Sequence, residues 1–180
     1  KTGFTLSGVD SGDRTGVSVS AAGDVDKDGY DDIIIGASHY DASSTVTDSG
    51  TAYVFFGKKS GYKSSFKLKD IDGSNGFRFG GIATKDYTGW SVSSAGDIDG
   101  DGFDDVLVGS PYQDADGNTN SGAAFAFYGK SSGYLEAVNL GTLGDAGVTV
   151  EGFPAYYYTG QSVNTAGDVN GDGKDDFLIG

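Results

Sequence analysis

Three copies of one acidic nonapeptide constrain this chain more than anything else in it. They read Asp24-Val25-Asp26-Lys27-Asp28-Gly29-Tyr30-Asp31-Asp32, Asp97-Ile98-Asp99-Gly100-Asp101-Gly102-Phe103-Asp104-Asp105 and Asp168-Val169-Asn170-Gly171-Asp172-Gly173-Lys174-Asp175-Asp176. Oxygen donors at positions 1, 3, 5 and 9, with a glycine at position 6, are what a hard cation requires of a short loop. Calcium takes about six to eight oxygens at roughly 2.3–2.6 Å, and the glycine permits the turn that aims alternate side chains inward. The candidate ligands are Asp24, Asp26, Asp28 and Asp32; Asp97, Asp99, Asp101 and Asp105; and Asp168, Asn170, Asp172 and Asp176. Tyr30, Phe103 and Lys174, at position 7, are expected to offer backbone carbonyls, which frees their side chains to vary. One such loop would read as a solvated acidic turn. Three in the same context predict three calcium sites. The third, with Asn170 in place of a carboxylate, should be the weakest, because ligand charge tunes affinity. Asp31, Asp104 and Asp175, at position 8, read as turn or surface residues.

An EF-hand opens in the same way but needs a bidentate Glu at position 12 and flanking helices. Here position 12 is Ile35, Val108 or Ile179, inside the apolar runs Ile33-Ile34-Ile35, Val106-Leu107-Val108 and Phe177-Leu178-Ile179. These short, glycine-terminated runs read as buried strands. The loop therefore joins two strands.

The acidic loops sit in a longer repeat. Thr15-Gly16, Thr88-Gly89 and Thr159-Gly160 recur at spacings of 73 and 71 residues. Gly3-Phe4-Thr5-Leu6-Ser7-Gly8 corresponds to Gly76-Phe77-Arg78-Phe79-Gly80-Gly81 and to Gly147-Val148-Thr149-Val150-Glu151-Gly152. Counted from these glycines, the repeats span 3–75 and 76–146, with a truncated third at 147–180. Each period holds a short strand of the Phe4–Leu6 type and an alternating strand at Val17–Ser20, Trp90–Ser93 or Gln161–Asn164. The apolar run after the metal loop follows, then a fourth strand at Thr51–Phe56 or Ala123–Tyr128. A weaker outer strand is expected at Ser65–Leu68 and Leu135–Leu140. No segment of useful length carries a helical period. An all-β chain of four-stranded antiparallel units, with glycines and aromatics at fixed offsets, is the pattern of β-propeller blades.

The residues also resemble a known family. Thr-Gly-x-Ser-Val, Ala-Gly-Asp-x-Asp-x-Asp-Gly-x-Asp-Asp and Ile-Gly-Ala-Ser are similar to the FG-GAP repeat of integrin α-subunit propellers and long bacterial surface proteins. The family's Phe-Gly is Thr-Gly here, and its Gly-Ala-Pro appears as Gly36-Ala37-Ser38 and Gly109-Ser110-Pro111. The resemblance implies a seven-bladed, calcium-bearing propeller, secreted or on a cell surface. Two and a half repeats cannot close a ring, since propellers use about 4–8 blades. A longer parent chain, a ring of copies or an end-to-end fibre would each resolve the open strand edges.

Composition narrows the partners. A net charge of −14 argues against nucleic acid or an anionic membrane. Much of that charge lies in the loops, so the metal-free form is expected to be the less stable one. With no Cys, thiol chemistry and disulfides are absent. No apolar run is long enough to span a bilayer. The lone His39 has no nucleophile motif beside it and reads as a surface residue. Asp41 and Asp114 recur at equivalent places and read as turn caps or supporting oxygens for the metal loops. Trp90 and Tyr156, Tyr157 and Tyr158 are candidates for ligand contact, against the plainer reading that these rings pack between neighbouring units. The expected role is a non-catalytic, calcium-binding extracellular module for adhesion or surface assembly, with a protein or carbohydrate partner. Two alternatives remain: a self-assembling fibre subunit completed by neighbouring chains, and an accessory ligand-binding propeller of a secreted hydrolase.

Overall fold

A computed structural model describes residues 3–180. In chain order the strands are β1 (Thr5–Ser7), β2 (Thr15–Gly23), β3 (Asp32–Ala37), β4 (Thr51–Phe55), β5 (Ser65–Lys67), β6 (Gly76–Gly80) and β7 (Ser91–Gly96). They continue as β8 (Asp105–Ser110), β9 (Ala123–Phe127), β10 (Ala137–Asn139), β11 (Gly147–Glu151), β12 (Val163–Gly167) and β13 (Asp176–Ile179). Between them lie only loops and single 3₁₀ turns. The chain is all-β, as its periodicity predicts.

Two antiparallel blades are complete, in the orders β2-β3-β4-β6 and β7-β8-β9-β11, and β12-β13 is the inner half of a third. The sheets are open, and no barrel closes among the described residues. Gly76–Gly80 pairs with Thr51–Phe55 and so forms the outer edge of the first blade. The sheet and the sequence period are thus offset by one strand. Each weak outer segment lies further out still: β10 pairs in parallel with β6, and β5 pairs in parallel with β1. A segment late in one repeat thereby extends the sheet of the one before it.

The faces follow the two-residue period of the strands. Ile34, Val54 and Phe77 stand in register on one face of the first blade. Against them the second blade presents Val106, Val108, Phe125 and Phe127, and these residues form the main core. On the opposite face of the second blade, Leu107, Ala124 and Ala126 pack against Val163, with Phe177 and Ile179 at the margin. Both faces of the second blade are covered by its neighbours, so its strands next to the inner one are continuously apolar rather than alternating. Aromatic rings fill the space between the first two blades. Phe77 stacks on Tyr134 at 4.7 Å and meets Phe79 and Phe127 at 5.2 and 5.3 Å. Removing the fully buried Phe77 ring should therefore cost about 3–5 kcal/mol, the range for large-to-small aromatic truncations. Urea unfolding of Phe77→Ala measures this as a lowered midpoint.

Candidate metal centres

Each acidic loop leaves its inner strand through a register shift, between Ala21 and Gly23, Ser94 and Gly96, and Thr165 and Gly167. Such a bulge bends the strand and re-aims the chain that follows. Inside the loop the position-6 glycines, Gly29, Gly102 and Gly173, take φ of 92, 88 and 89°. This is left-handed backbone that a β-carbon would strain, as the sequence pattern requires.

The loops then share one set of local hydrogen bonds. The first aspartate of each receives the amide of the position-6 glycine: Asp24 Oδ2 from Gly29 at 2.9 Å, Asp97 Oδ2 from Gly102 at 2.8 Å and Asp168 Oδ2 from Gly173 at 2.9 Å. Position 3 accepts the amide of position 5 (Asp26, Asp99 and Asn170) at 3.2, 3.0 and 2.8 Å. Position 5 accepts that of position 7 (Asp28, Asp101 and Asp172) at 2.9 Å in all three. These local bonds hold the side chains so that they converge. Oxygens of Asp24, Asp26 and Asp28 lie within 4.8 Å of one another, as do those of Asp97, Asp99 and Asp105. In the third loop Asn170 Nδ2 donates to Asp172 Oδ2 at 3.0 Å, which spends a donor on one of that loop's own carboxylate oxygens.

Position 9 ties the loop to the rest of the blade. Asp32 accepts the Val25 amide at 2.9 Å and the Gly57 amide at 2.7 Å. Asp105 does the same with Ile98 and Gly129, both at 2.8 Å, and Asp176 accepts from Val169 at 2.9 Å. Burial pushes Asp32 and Asp105 up to about 7, against the pull of those amides. The neighbouring charges, Asp26 and Asp24 for one and Asp99 and Asp101 for the other, raise them further. Asp26 is raised for the same two reasons, burial first and then Asp28. An all-oxygen donor set with buried, mutually repelling carboxylates fits a hard divalent cation.

Position 8 does something its sequence does not announce. Asp104 Oδ2 accepts the Asp24 amide at 2.8 Å across 80 residues, and Asp175 Oδ2 accepts that of Asp97 at 3.1 Å. These carboxylates clasp the loop of the preceding blade, so Asp104 and Asp175 are bridges rather than turn residues. Position 7 crosses the same gap. Lys27 lies 4.9 Å from the Phe103 ring, and Lys174 Nζ donates to the Asp99 carbonyl.

The other singled-out residues fall into two groups. Trp90 and Tyr158 join Tyr87 and Tyr112 in a cluster of edge-to-face rings, and His39 lies against Tyr87 at 4.8 Å. His39 is accordingly half-buried, with Nδ1 2.9 Å from Ser38 Oγ, and burial lowers its pKa. Tyr156 and Tyr157 are exposed. Asp41 and Asp114 accept the amides of Asp48 and Asn120 at 2.8 and 2.7 Å and so cap their own loops. Asp13 and Asp86, which align with Tyr157 and look like polar loop residues, are buried; they accept the amides of Asp10 and Ala83 at 2.9 and 2.7 Å. Their recurrence at the same offset before Thr-Gly was the available signal. The bridging role of Asp104 predicts that Asp104→Ala destabilises the chain by about 1.5–3 kcal/mol, the range for a hydrogen bond to a charged group. Asp31→Ala, whose carboxylate accepts no hydrogen bond among the described residues of this chain, should stay within about 0.5 kcal/mol of the parent. Chemical unfolding of the two variants side by side measures the difference.

Comparison with known proteins agrees with this geometry. The FG-GAP repeat family model matches residues 15–55 and 88–127, each running from the Thr-Gly pair to the end of the third strand. Integrin alpha-4 of Xenopus laevis is 32% identical over 180 residues, covering 98% of this chain. Integrin alpha pat-2 of Caenorhabditis elegans is 30% identical over 178 residues, covering 94%. Integrin alpha-5 of Xenopus laevis is 29% identical over 181 residues, covering 98%. The chain spans only 13–15% of the length of these relatives. With matching repeats at both complete blades and similarity to integrin alpha chains along nearly its whole length, this chain carries the FG-GAP repeat at two positions.

Proposed function

We propose that this chain is a calcium-binding, non-catalytic module of an extracellular or cell-surface protein with an adhesive role. The observation that carries the reading is the threefold recurrence of one loop. Each copy has the same three bonds from the amides of positions 5, 6 and 7 to the side-chain oxygens of positions 3, 1 and 5, and each sits at the corner between a blade's two inner strands. The similarity to integrin alpha chains supports the adhesive setting. The likeness of one fold to another does not by itself transfer an activity, so the role rests on that family context.

The ions would be held by Asp24, Asp26, Asp28 and Asp32, with the Tyr30 carbonyl; by Asp97, Asp99, Asp101 and Asp105, with that of Phe103; and by Asp168, Asn170, Asp172 and Asp176, with that of Lys174. Calcium, when bound, supplies positive charge to a carboxylate cluster that otherwise repels itself. The protein's own part is to hold the donors together, and this couples metal binding to folding. Sites of about 10⁻⁴–10⁻³ M suffice outside the cell. The buried carboxylates are absorbed by backbone amides, a structural use and not an acid–base one. Exposed Tyr156 and Tyr157, with exposed Phe153 nearby in sequence, offer the apolar and hydrogen-bonding character that suits a protein ligand.

Calcium titration by calorimetry should fill three sites, and EGTA should lower the melting temperature. Asn170→Asp should tighten the third site and leave the other two unchanged; no heat of binding and no effect of EGTA would defeat the reading. The response to pH follows from Asp32 and Asp105, whose carboxyls titrate near 7 in the folded chain against 3.8 as the ordinary value. A raised carboxyl stabilises the fold below its unfolded pKa and loses that contribution as pH rises through the folded one. In EGTA, melting temperature should therefore fall between about pH 4 and pH 8. The calcium-induced rise in melting temperature should grow over the same interval, because protons compete for the ligands. Melting curves in both buffers across that range test the pair of trends.

A further inference from the structure

The first two metal loops each begin on an aspartate whose backbone is held by the next blade. The Asp24 amide donates to Asp104 Oδ2 at 2.8 Å, and the Asp24 carbonyl accepts the Asp104 amide at 3.3 Å. One repeat later the Asp97 amide donates to Asp175 Oδ2 at 3.1 Å, and the Asp97 carbonyl accepts the Asp175 amide at 3.0 Å. Two bonds from one residue therefore fix the peptide groups on both sides of the Asp24 α-carbon, and likewise at Asp97. The second blade has a further hold on the first loop: Lys130 N and Tyr134 Oη donate to the Val25 carbonyl at 3.0 and 2.8 Å.

The sequence makes room for this grip. Gly23 and Gly96 stand immediately before the two gripped aspartates, with φ of 77 and 72°. A β-carbon on Gly23 would collide with the Asp104 carboxylate, and one on Gly96 with that of Asp175. The glycine that opens each of these loops is thus required twice, by left-handed backbone and by the carboxylate that enters from the next blade.

Asp24 and Asp97 are also the hubs of their own loops. Asp24 accepts the amides of Asp28 and Gly29, both at 2.9 Å, and Asp97 accepts those of Gly100 and Gly102 at 2.7 and 2.8 Å. The side chain gathers the loop, while the backbone that carries it is set from outside. On the other side of the contact, Asp104 stands between Phe103 and Asp105, a carbonyl and a carboxylate assigned to the second site. It is bracketed by two donors of one site and bonded to the first donor of another.

We propose that Asp104 is a positioning residue for the first calcium site, although it belongs to the second loop, and that Asp175 has the same role for the second site. The carboxylate holds Asp24 where the other donors of its loop converge, and rigidity of that kind tunes the affinity of an oxygen-lined site. The inference rests on the calcium reading above and deepens it: each of the first two sites is built by two blades.

The test follows one reporter per loop, the amides of Gly29, Gly102 and Gly173, by NMR on the isotope-labelled whole chain during a calcium titration. Asp104→Ala should raise the calcium concentration at the midpoint of the Gly29 transition by about 5-fold or more, the lower end of the usual range for coupling between sites. Asp104→Asn keeps an oxygen that accepts the Asp24 amide, so it should restore most of that affinity. At Gly102 the two variants should behave alike, because only the lost charge is felt there. Asp175→Ala and Asp175→Asn should repeat the pattern one site further on, at Gly102, and they decide the matter if Asp104→Ala gives no folded spectrum. Equal midpoints for the Ala and Asn variants at Gly29 overturn the proposal. So does an Asp104→Ala shift of one size at all three glycines, the mark of a general loosening. A parent that titrates while Asp104→Ala leaves Gly29 unmoved defeats the positioning role alone. A parent in which no glycine responds to calcium defeats the calcium reading, and this inference with it.

Discussion

One carboxylate per blade holds the corner on which the metal loop depends. Asp32 takes the amide of Val25 on one oxygen and that of Gly57 on the other, and Asp105 does the same with Ile98 and Gly129. A single side chain thereby joins the start of the loop, the strand that follows it and the turn after the next strand. The cost is a buried acid whose pKa rises to about 7. That cost is also what makes the corner responsive, because the charged form gains most from a nearby cation. In the third repeat the Asp176 bond to Val169 is present, but the strand that would supply the second amide is not part of this sheet.

The same economy governs how blades meet. Polar contacts at the inner rim are few, and two of them repeat residue for residue: a serine to a carbonyl and an aspartate to an amide. Apolar burial between the sheets does the rest, through Phe77, Phe79, Phe125 and Phe127 in the first contact. The second contact uses smaller residues, Ala95, Ala124 and Ala126 beside Leu107 and Val163. Identical rim bonds with different fillings show that the rim sets the register and the filling sets the area buried. A register fixed by backbone and short side chains tolerates sequence change in the core, as volume-conserving repacking does elsewhere.

The metal loops were legible in sequence because everything that shapes them lies within nine residues. Glycine at position 6, aspartates at alternate positions and an apolar strand behind them act locally, and the amide-to-carboxylate bonds follow from that spacing. Asp104 was not legible, since its partner amide lies 80 residues away and a carboxylate in a loop has an adequate local reading as a turn residue. Trp90 illustrates a middle case. On sequence it reads either as a ligand contact or as a ring packed between neighbouring units; it lies in a cluster with Tyr87 and Tyr112 of its own repeat, which Tyr158 of the third repeat extends.

By itself, the sequence determined that the chain is β throughout, that it repeats near every 72 residues and that each repeat carries an oxygen-lined corner. Periods of two, glycines at forced turns and ligand spacing are all short-range physics. Only the tertiary structure decided where one sheet ends and the next begins. A repeat can be counted from any point, but Gly76–Gly80 can hydrogen-bond to only one neighbour, and it closes the blade before it. The tertiary structure alone also decided which carboxylates bridge blades and which serines meet a neighbouring blade's carbonyl. Those are properties of surfaces brought together across 70–80 residues of chain, where no local pattern reaches.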